Sequence, residues 1–309
     1  MTTETPYHIP ALLVPTIEAL NLHKDGVYVD CTYGGGGHSR AIADVLQQTG
    51  GGTLYAFDQD SEAIAGAVAQ KRREIVPVYS NFRYIKNFMR YYGVDGTVDG
   101  VLADLGVSFH HFDDAERGFS FRFPAGELDM RMNQRAAQTA ADVLATYSAE
   151  RLTEIFRLYG ELGAARRLSD AIVRQRDNTP IKSAEQLITV ARPFINPRAE
   201  KKELAQIFQA LRIEFNDEIG ALRQLLEGAL SVLRPGGRLA IITYHSLEDR
   251  LVKNFMRTGN LQGIAVKDFY GRTDTPFRVI TRKPIVPDED EIERNPRCRS
   301  AKLRVAEKL

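Results

Sequence analysis

Three aspartates in this chain stand where an apolar run gives way to a turn, and each is placed to handle a polar ligand. Asp30 is followed by Cys31-Thr32-Tyr33 and then Gly34 to Gly37, with His38 and Ser39 behind them. Four consecutive glycines remove every Cβ from the turn, so a ligand can approach the backbone and take hydrogen bonds from amides that open a helix. Asp58 ends the run TLYAFD, where a carboxylate can accept hydrogen bonds from both hydroxyls of a ribose. Together these features describe a nucleoside-cofactor site, a geometry used by dinucleotides and by methionine nucleosides alike. The dinucleotide fingerprint GxGxxG fails at its third glycine, because counting from Gly34 and Gly36 arrives at Ser39, and from Gly35 and Gly37 at Arg40. Asp30 would also repel a pyrophosphate and attract a cationic methionine moiety. A nicotinamide-dependent dehydrogenase is disfavoured on both counts.

The acceptor is less constrained. Phe82, after Asn81, can stack on adenine or serve as core, and Asp104 in ADLG can face both cofactor and acceptor or cap a turn. Methylation at a pyrimidine carbon needs a cysteine nucleophile, and neither Cys31 nor Cys298 lies in a Pro-Cys loop after the fourth apolar run. Transfer to an exocyclic amine needs only an aimed lone pair and an acceptor for the amino hydrogens, which makes Asp104 the natural catalytic candidate. Amino methyltransferases usually follow that acid with Pro-Pro-aromatic, whereas here Leu-Gly-Val-Ser follows. The residues alone leave the acceptor open. Tyr244 and His245 are further catalytic candidates, since aromatic and polar edges at a strand end suit an extruded base. No GxSxG elbow surrounds Ser246, which reads as a helix cap with Asp249 completing a capping box.

The elements that must position these residues alternate in the first third: GVYVD, TLYAFDQ, IVPVYS and VDGVLADLG read as strands, each but the last followed by a helical pattern. This is the rhythm of a doubly wound, Rossmann-like α/β sheet. After Gly106 it breaks into a polar loop and then a series of helical patterns, from AAQTAADVLATYS to AEKKELAQIFQALRIEFN. The rhythm resumes with DEIGALRQLLEGALSVL, the turn RPGG and the strand RLAIITY. FRVITRKPIVP reads as one more strand, and NPRCRSAKLR as a basic tail. The expected organisation is a sheet domain over residues 1–112 and 215–309, interrupted by an all-helical domain over 113–214.

With 43% hydrophobic and 26% charged residues, the 309-residue chain has the composition of a soluble globular protein. Two separated cysteines exclude a disulfide framework, no metal site is expected, and no signal or membrane-spanning run is apparent, so a cytoplasmic protein is expected. A net charge of +1 gives no global sign of a nucleic-acid partner. Local clusters must carry that reading: Arg294, Arg297, Arg299, Lys302 and Arg304 near the end, and Arg166, Arg167, Arg174 and Arg176 within the helices. Taken alone, either is better read as a solvated charged face.

The strings DCTYGGGGHS, DGVLADLGVS, ERGFSF, LDMRM, FQALRIEFNDE, RPGGRLAIITYHSLEDR and NPRCRSAKLR span nearly the whole chain. In this order they resemble the ribosomal RNA small subunit methyltransferase H family (MraW type). The resemblance implies a class I methyltransferase sheet, S-adenosyl-L-methionine as cofactor, and N4-methylation of cytosine 1402 of 16S rRNA in the small ribosomal subunit. It implies an inserted helical domain that helps bind RNA, and cofactor contacts from Gly36, Gly37, His38, Asp58, Phe82, Asp104 and His111. Where the family commonly has SSxQLD, this chain reads Ser108-Phe109-His110-His111-Phe112-Asp113, so a histidine stands in for a glutamine. Arg117, Phe119, Phe121, Arg131, Arg297 and Arg299 are then candidate RNA contacts, with burial as loop anchors an equal reading for the two phenylalanines. A ribosome-assembly binding protein with a relict pocket is the non-enzymatic alternative. The sequence leaves the oligomeric state open, a homodimer included.

Overall fold

The computed structural model describes residues 9–106, 117–123, 126–133, 136–265 and 275–309. They fall into two compact units, one formed by Met1–Gly106 with Gly220–Leu309 and the other by Val107–Ile219.

The first unit is built on seven strands: β1 (Gly26–Asp30), β2 (Gly52–Asp58), β3 (Ile75–Tyr79), β4 (Val98–Asp104), β5 (Leu233–Thr243), β6 (Phe277–Val279) and β7 (Lys302–Lys308). Their order is β3-β2-β1-β4-β5-β7-β6. The first five are parallel and β7 is antiparallel to both its neighbours. Central strands covered on both faces read as continuous apolar runs, and alternate residues point to opposite sides. Val101 and Ala103 of β4, with Leu239 and Ile241 of β5, face a core completed by Ile85, Met89, Leu222, Leu225 and Phe255. Leu102, Ala240 and Ile242 face the other core, with Ile42, Ala43 and Leu46 from the helix Gly37–Thr49. This is the doubly wound α/β architecture. Within β5 the RPGG turn is pushed out of the ladder: Val98 pairs with Leu233, and the next pairing is Gly100 with Arg238.

One expectation is corrected here. Lys302–Lys308 lies inside the sheet, between β5 and β6, and the strand read from FRVITRKPIVP is confined to Phe277–Val279. Arg304, read as part of a basic cluster, is 7% exposed and forks onto Asp249 at 2.7 and 3.0 Å. Two charges can be buried in this way only when each satisfies the other. Arg304→Ala should therefore destabilise the sheet unit by about 3 kcal/mol, because Asp249 is left without its counter-ion. Urea unfolding of the full chain would check this, and a loss within about 0.5 kcal/mol would show the pair to be ordinary surface.

The second unit packs the helices Ala140–Thr146, Ala149–Leu158, Ala165–Asn178, Ala184–Ala191 and Glu200–Phe215 around Leu144, Leu152, Phe156, Leu168, Ile172, Leu187 and Phe208. Ser183 and Gln186 form a capping box, as do Thr139 and Asp142. The loop before these helices is held from within. Arg117 donates to the Arg131 carbonyl at 2.8 Å, and Arg131 grips Asp129 with two nitrogens. Phe119 is 3% exposed, and Phe121 packs edge-on to Phe208 at 6.0 Å. All four therefore have partners inside this unit, with Phe121 and Arg131 still partly exposed. Among the second cluster, Arg166 pairs with Glu150 and Asp170, and Arg176 donates to the carbonyls of Leu144 and Tyr147.

Candidate active site

Because β1 to β5 are parallel, their carboxyl ends share one edge of the sheet. The order reverses between β1 and β4, which opens a crevice there. The backbone beyond β1 is drawn both ways: the Cys31 N–H donates to Leu102 O of β4 at 2.8 Å, and the Tyr33 N–H to Phe57 O of β2 at 2.8 Å.

Asp30 is enclosed by the chain. It is fully buried, accepting from Ser39 Oγ at 2.6 Å and from the Thr32 N–H at 3.0 Å, so it fastens the start of the helix Gly37–Thr49 to the end of β1. These bonds give Asp30 a positioning role at the start of the loop. Thr32, which the sequence reading passed over, accepts the Asp104 N–H at 2.7 Å and so ties the ends of β1 and β4 together. A hydroxyl next to a strand-terminal acid was the available signal.

The glycines divide by role. A Cβ on Gly36 would lie 2.6 Å from the Tyr33 hydroxyl, and one on Gly37 would lie 2.8 Å from Pro10 Cγ, so both are required by packing within the chain. Gly34 has φ +51°, and among the described residues nothing lies within 4 Å of where its Cβ would be, so none of them blocks the approach to the loop. Asp58 accepts the Gly34 N–H and the Asp60 N–H, each at 2.8 Å, one on each oxygen. Every carboxylate oxygen can accept more than once, so these two bonds do not by themselves bar a ribose. Phe82 opens a short turn after β3, half-buried against the sheet core, with Asn81 capping it from the Arg83 N–H.

Asp104 ends β4 in a buried, polar cluster. His38 is 5% exposed, and its Nε2 lies 3.1 Å from the Ala11 carbonyl, which can only accept, so that nitrogen carries a hydrogen. Its Nδ1 faces Asp104 Oδ2 at 3.8 Å, too far for a hydrogen bond but near enough to act as a charge partner. Asp104 Oδ1 is buried with no hydrogen-bond partner among the described residues. Burial pushes the Asp104 carboxyl above its usual range, and His38 and the Tyr244 hydroxyl offset that only in part. Tyr244 is in turn pushed well above the usual phenol range, first by burial and then by the Asp104 charge. Its ring lies over Gly106, where a Cβ would come within 3.1 Å of it. The aromatic expected directly after Asp104 is thus supplied from the end of β5.

The helix after β5, Ser246–Thr258, is capped by His245 rather than by Ser246: the Glu248 N–H points to His245 Nδ1 at 3.5 Å. Glu248, 4% exposed, accepts the Tyr244 N–H at 3.0 Å. Its other oxygen lies 3.1 Å from His245 Nε2, off the line of a hydrogen bond. His245 is therefore committed to the turn that sets Tyr244, and His111 lies outside the described residues.

The site fits S-adenosylmethionine on two observations: the open approach at Gly34 and the unsatisfied Asp104 oxygen. The family model of the MraW methylases matches residues 5–309. A protein named Ribosomal RNA small subunit methyltransferase H from Parabacteroides distasonis is 56% identical over 304 residues, covering 98% of each chain. Proteins of the same name from Bacteroides fragilis and Porphyromonas gingivalis are 56% and 54% identical, over 99% of this chain and 98% of theirs. This chain belongs to the MraW methylase family, with S-adenosylmethionine as its methyl donor.

Proposed function

We propose that this protein methylates the N4 amino group of cytosine 1402 in 16S rRNA of the small ribosomal subunit. The relatives' shared name supports a small-subunit rRNA substrate, and the observation that carries the amine chemistry is the buried, unpartnered Asp104 oxygen beside Tyr244. When bound, S-adenosylmethionine supplies a methyl group on a positively charged sulfur. Gly36, Gly37 and His38 shape the loop that would hold it, Asp58 takes the ribose, and Phe82 flanks the adenine. His111 is the remaining proposed cofactor contact.

Asp104 accepts a hydrogen of the cytosine amino group and turns the nitrogen lone pair towards the methyl carbon. An amine that takes up the methyl group would have to lose a proton. A carboxylate whose pKa is raised by burial is suited to receive it. Tyr244 and His38 both favour that carboxylate's charged form, while His245 keeps Tyr244 in place through the turn. No cysteine nucleophile enters this chemistry: Cys31 is buried, and burial pushes its thiol well above its usual range.

Among the described residues no helix is long and apolar enough to cross a membrane, in keeping with a cytoplasmic enzyme that meets ribosomal particles. The test is transfer of labelled methyl from S-adenosylmethionine to undermethylated small subunits, with the product nucleoside identified by mass. N4-methylcytidine is expected at one position. A chain that binds the cofactor and transfers nothing would be the assembly factor with a relict pocket, and this reading would fall.

A further inference from the structure

Between Glu74 and Asp95 the chain runs through Ile75–Val94 without a carboxylate, while carrying Arg83, Lys86 and Arg90 and six aromatic residues. In a chain with nearly balanced charge this is a local excess of cation and ring. The helix Ile85–Tyr91 divides that stretch cleanly. Ile85, Phe88 and Met89 face the sheet core, and Tyr92 beyond the helix joins them. The opposite stripe, Tyr84, Lys86, Asn87, Arg90 and Tyr91, is exposed. Tyr84 is 50% and Tyr91 81% exposed, unusual for rings of this size. Tyr91 is nevertheless held in place. It lies edge-on to Tyr92 at 5.2 Å and 74°, and Tyr92 packs on Tyr55 at 4.6 Å. One largely exposed ring is thus backed by a packed neighbour, with Lys86 and Arg90 exposed on the same outer half of the helix. Arg90 has Asp95 at 3.8 Å, both in contact with solvent, a pairing worth little there.

We infer that the exposed face of this helix binds single-stranded RNA, with Tyr91 as a stacking platform for an unpaired base and Lys86 and Arg90 holding the flanking phosphates. Bases stack on exposed aromatics whatever their sequence, and cations interleaved with rings are the pattern that tracks a single strand. A second copy of the chain fits less well. A two-fold contact through this stripe would bring together two copies of a surface that carries Lys86 and Arg90 and no carboxylate of the stretch. Tyr84 stands two residues beyond Phe82, and Tyr91 lies about 10 Å further along the helix, so the strand would leave the crevice along this face. The inference names the substrate path for the RNA reading given above and rests on it.

The experiment uses the full chain with a short fluorescein-labelled oligouridylate, followed by anisotropy, and methyl transfer to undermethylated small subunits. Tyr91→Ala should weaken oligouridylate binding roughly 5- to 100-fold, and Tyr91→Phe should restore it to within about twofold. Lys86→Ala with Arg90→Ala should lower the slope of log affinity against log salt by about 1.4. Affinity for S-adenosylmethionine should stay unchanged in all three, which shows that the sheet unit is folded. Wild-type affinity in Tyr91→Ala overturns the inference, and so does a change in sedimentation of the free protein, which would mean that a second copy covers the face. Tyr91-dependent binding without transfer to subunits refutes the rRNA assignment and leaves the RNA face standing. Transfer that is indifferent to Tyr91 does the reverse.

Discussion

Asp104→Asn should lose methyl transfer and, in the same variant, gain stability. Asparagine keeps the shape of the side chain, and its amide can donate towards His38 Nδ1 or Tyr244, but it can no longer serve as an anionic acceptor for the amine. Removing one preorganised polar group of this kind costs roughly 10²- to 10³-fold in rate. The stability gain follows from the raised pKa. An acid whose pKa is higher in the folded chain than in the unfolded one is costlier to ionise there. Above the folded value it therefore subtracts from stability, and the penalty disappears as pH falls through that value. Burial of Asp104 is the leading cause of the shift. At about pH 8 the variant should melt above the parent, and the gap should close on acidification. Methyl transfer by the parent should fall over that same acid range, with a midpoint above the ordinary aspartate value of 3.8. Paired melting curves and transfer rates from about pH 5 to 8 would decide it. Transfer retained within about threefold would remove Asp104 from the chemistry, and a lower melting temperature would show its buried oxygen to be satisfied.

Gly118→Ala should cost the helical unit more than about 4 kcal/mol, because two independent penalties coincide there. The residue has φ +67°, a conformation side chains rarely adopt, and an added Cβ would lie 2.0 Å from the Glu127 carbonyl oxygen and 2.8 Å from the Asp129 nitrogen. Backbone cannot step aside as a side-chain tip can. Moving it would disturb the bond from the Met130 N–H to the Arg117 carbonyl and the Asp129–Arg131 fork that anchor the loop. Gly163→Ala is the matched control, since nothing lies within 4 Å of its Cβ position, and it should change stability by under about 0.5 kcal/mol. Thermal unfolding followed by circular dichroism would compare them, and equal melting of the two variants would refute the steric account.

Much of this was legible in the residues. The apolar runs that end in Asp30, Asp58 and Asp104 form the parallel strands, and the three- and four-residue spacing after Ala136 forms helices, because periodicity reports which face is buried. The last strand escaped for a physical reason. KLRVAEK carries four charges and looks solvated, yet Arg304 is neutralised by Asp249 and Glu307 by Arg238. Pairing across long stretches of sequence cannot be read from local pattern. The same holds for Arg117 and Phe119, whose types suggest RNA and whose partners lie inside the loop. At the site, the three aspartates were visible, but not that Asp30 would turn inward or that the ring beside Asp104 would come from Tyr244. Those are facts of register between β1, β4 and β5.

The helical insertion also bears on how the sheet is assembled. β4 and β5 are hydrogen-bonded neighbours, yet the whole helical unit lies between them in sequence. An unstructured loop of that length would make this pairing slow to find, since its closure entropy must be met before any contact rewards it. Inside the insertion, however, Asn216 accepts the Met132 N–H at 3.1 Å and donates to the Met130 carbonyl at 3.0 Å, joining its outgoing helix to its incoming loop. Once the helices have condensed, the chain that separates the two strands is effectively short. Condensing the helices first would therefore lower the entropy cost of pairing β4 with β5, the pairing on which the crevice depends.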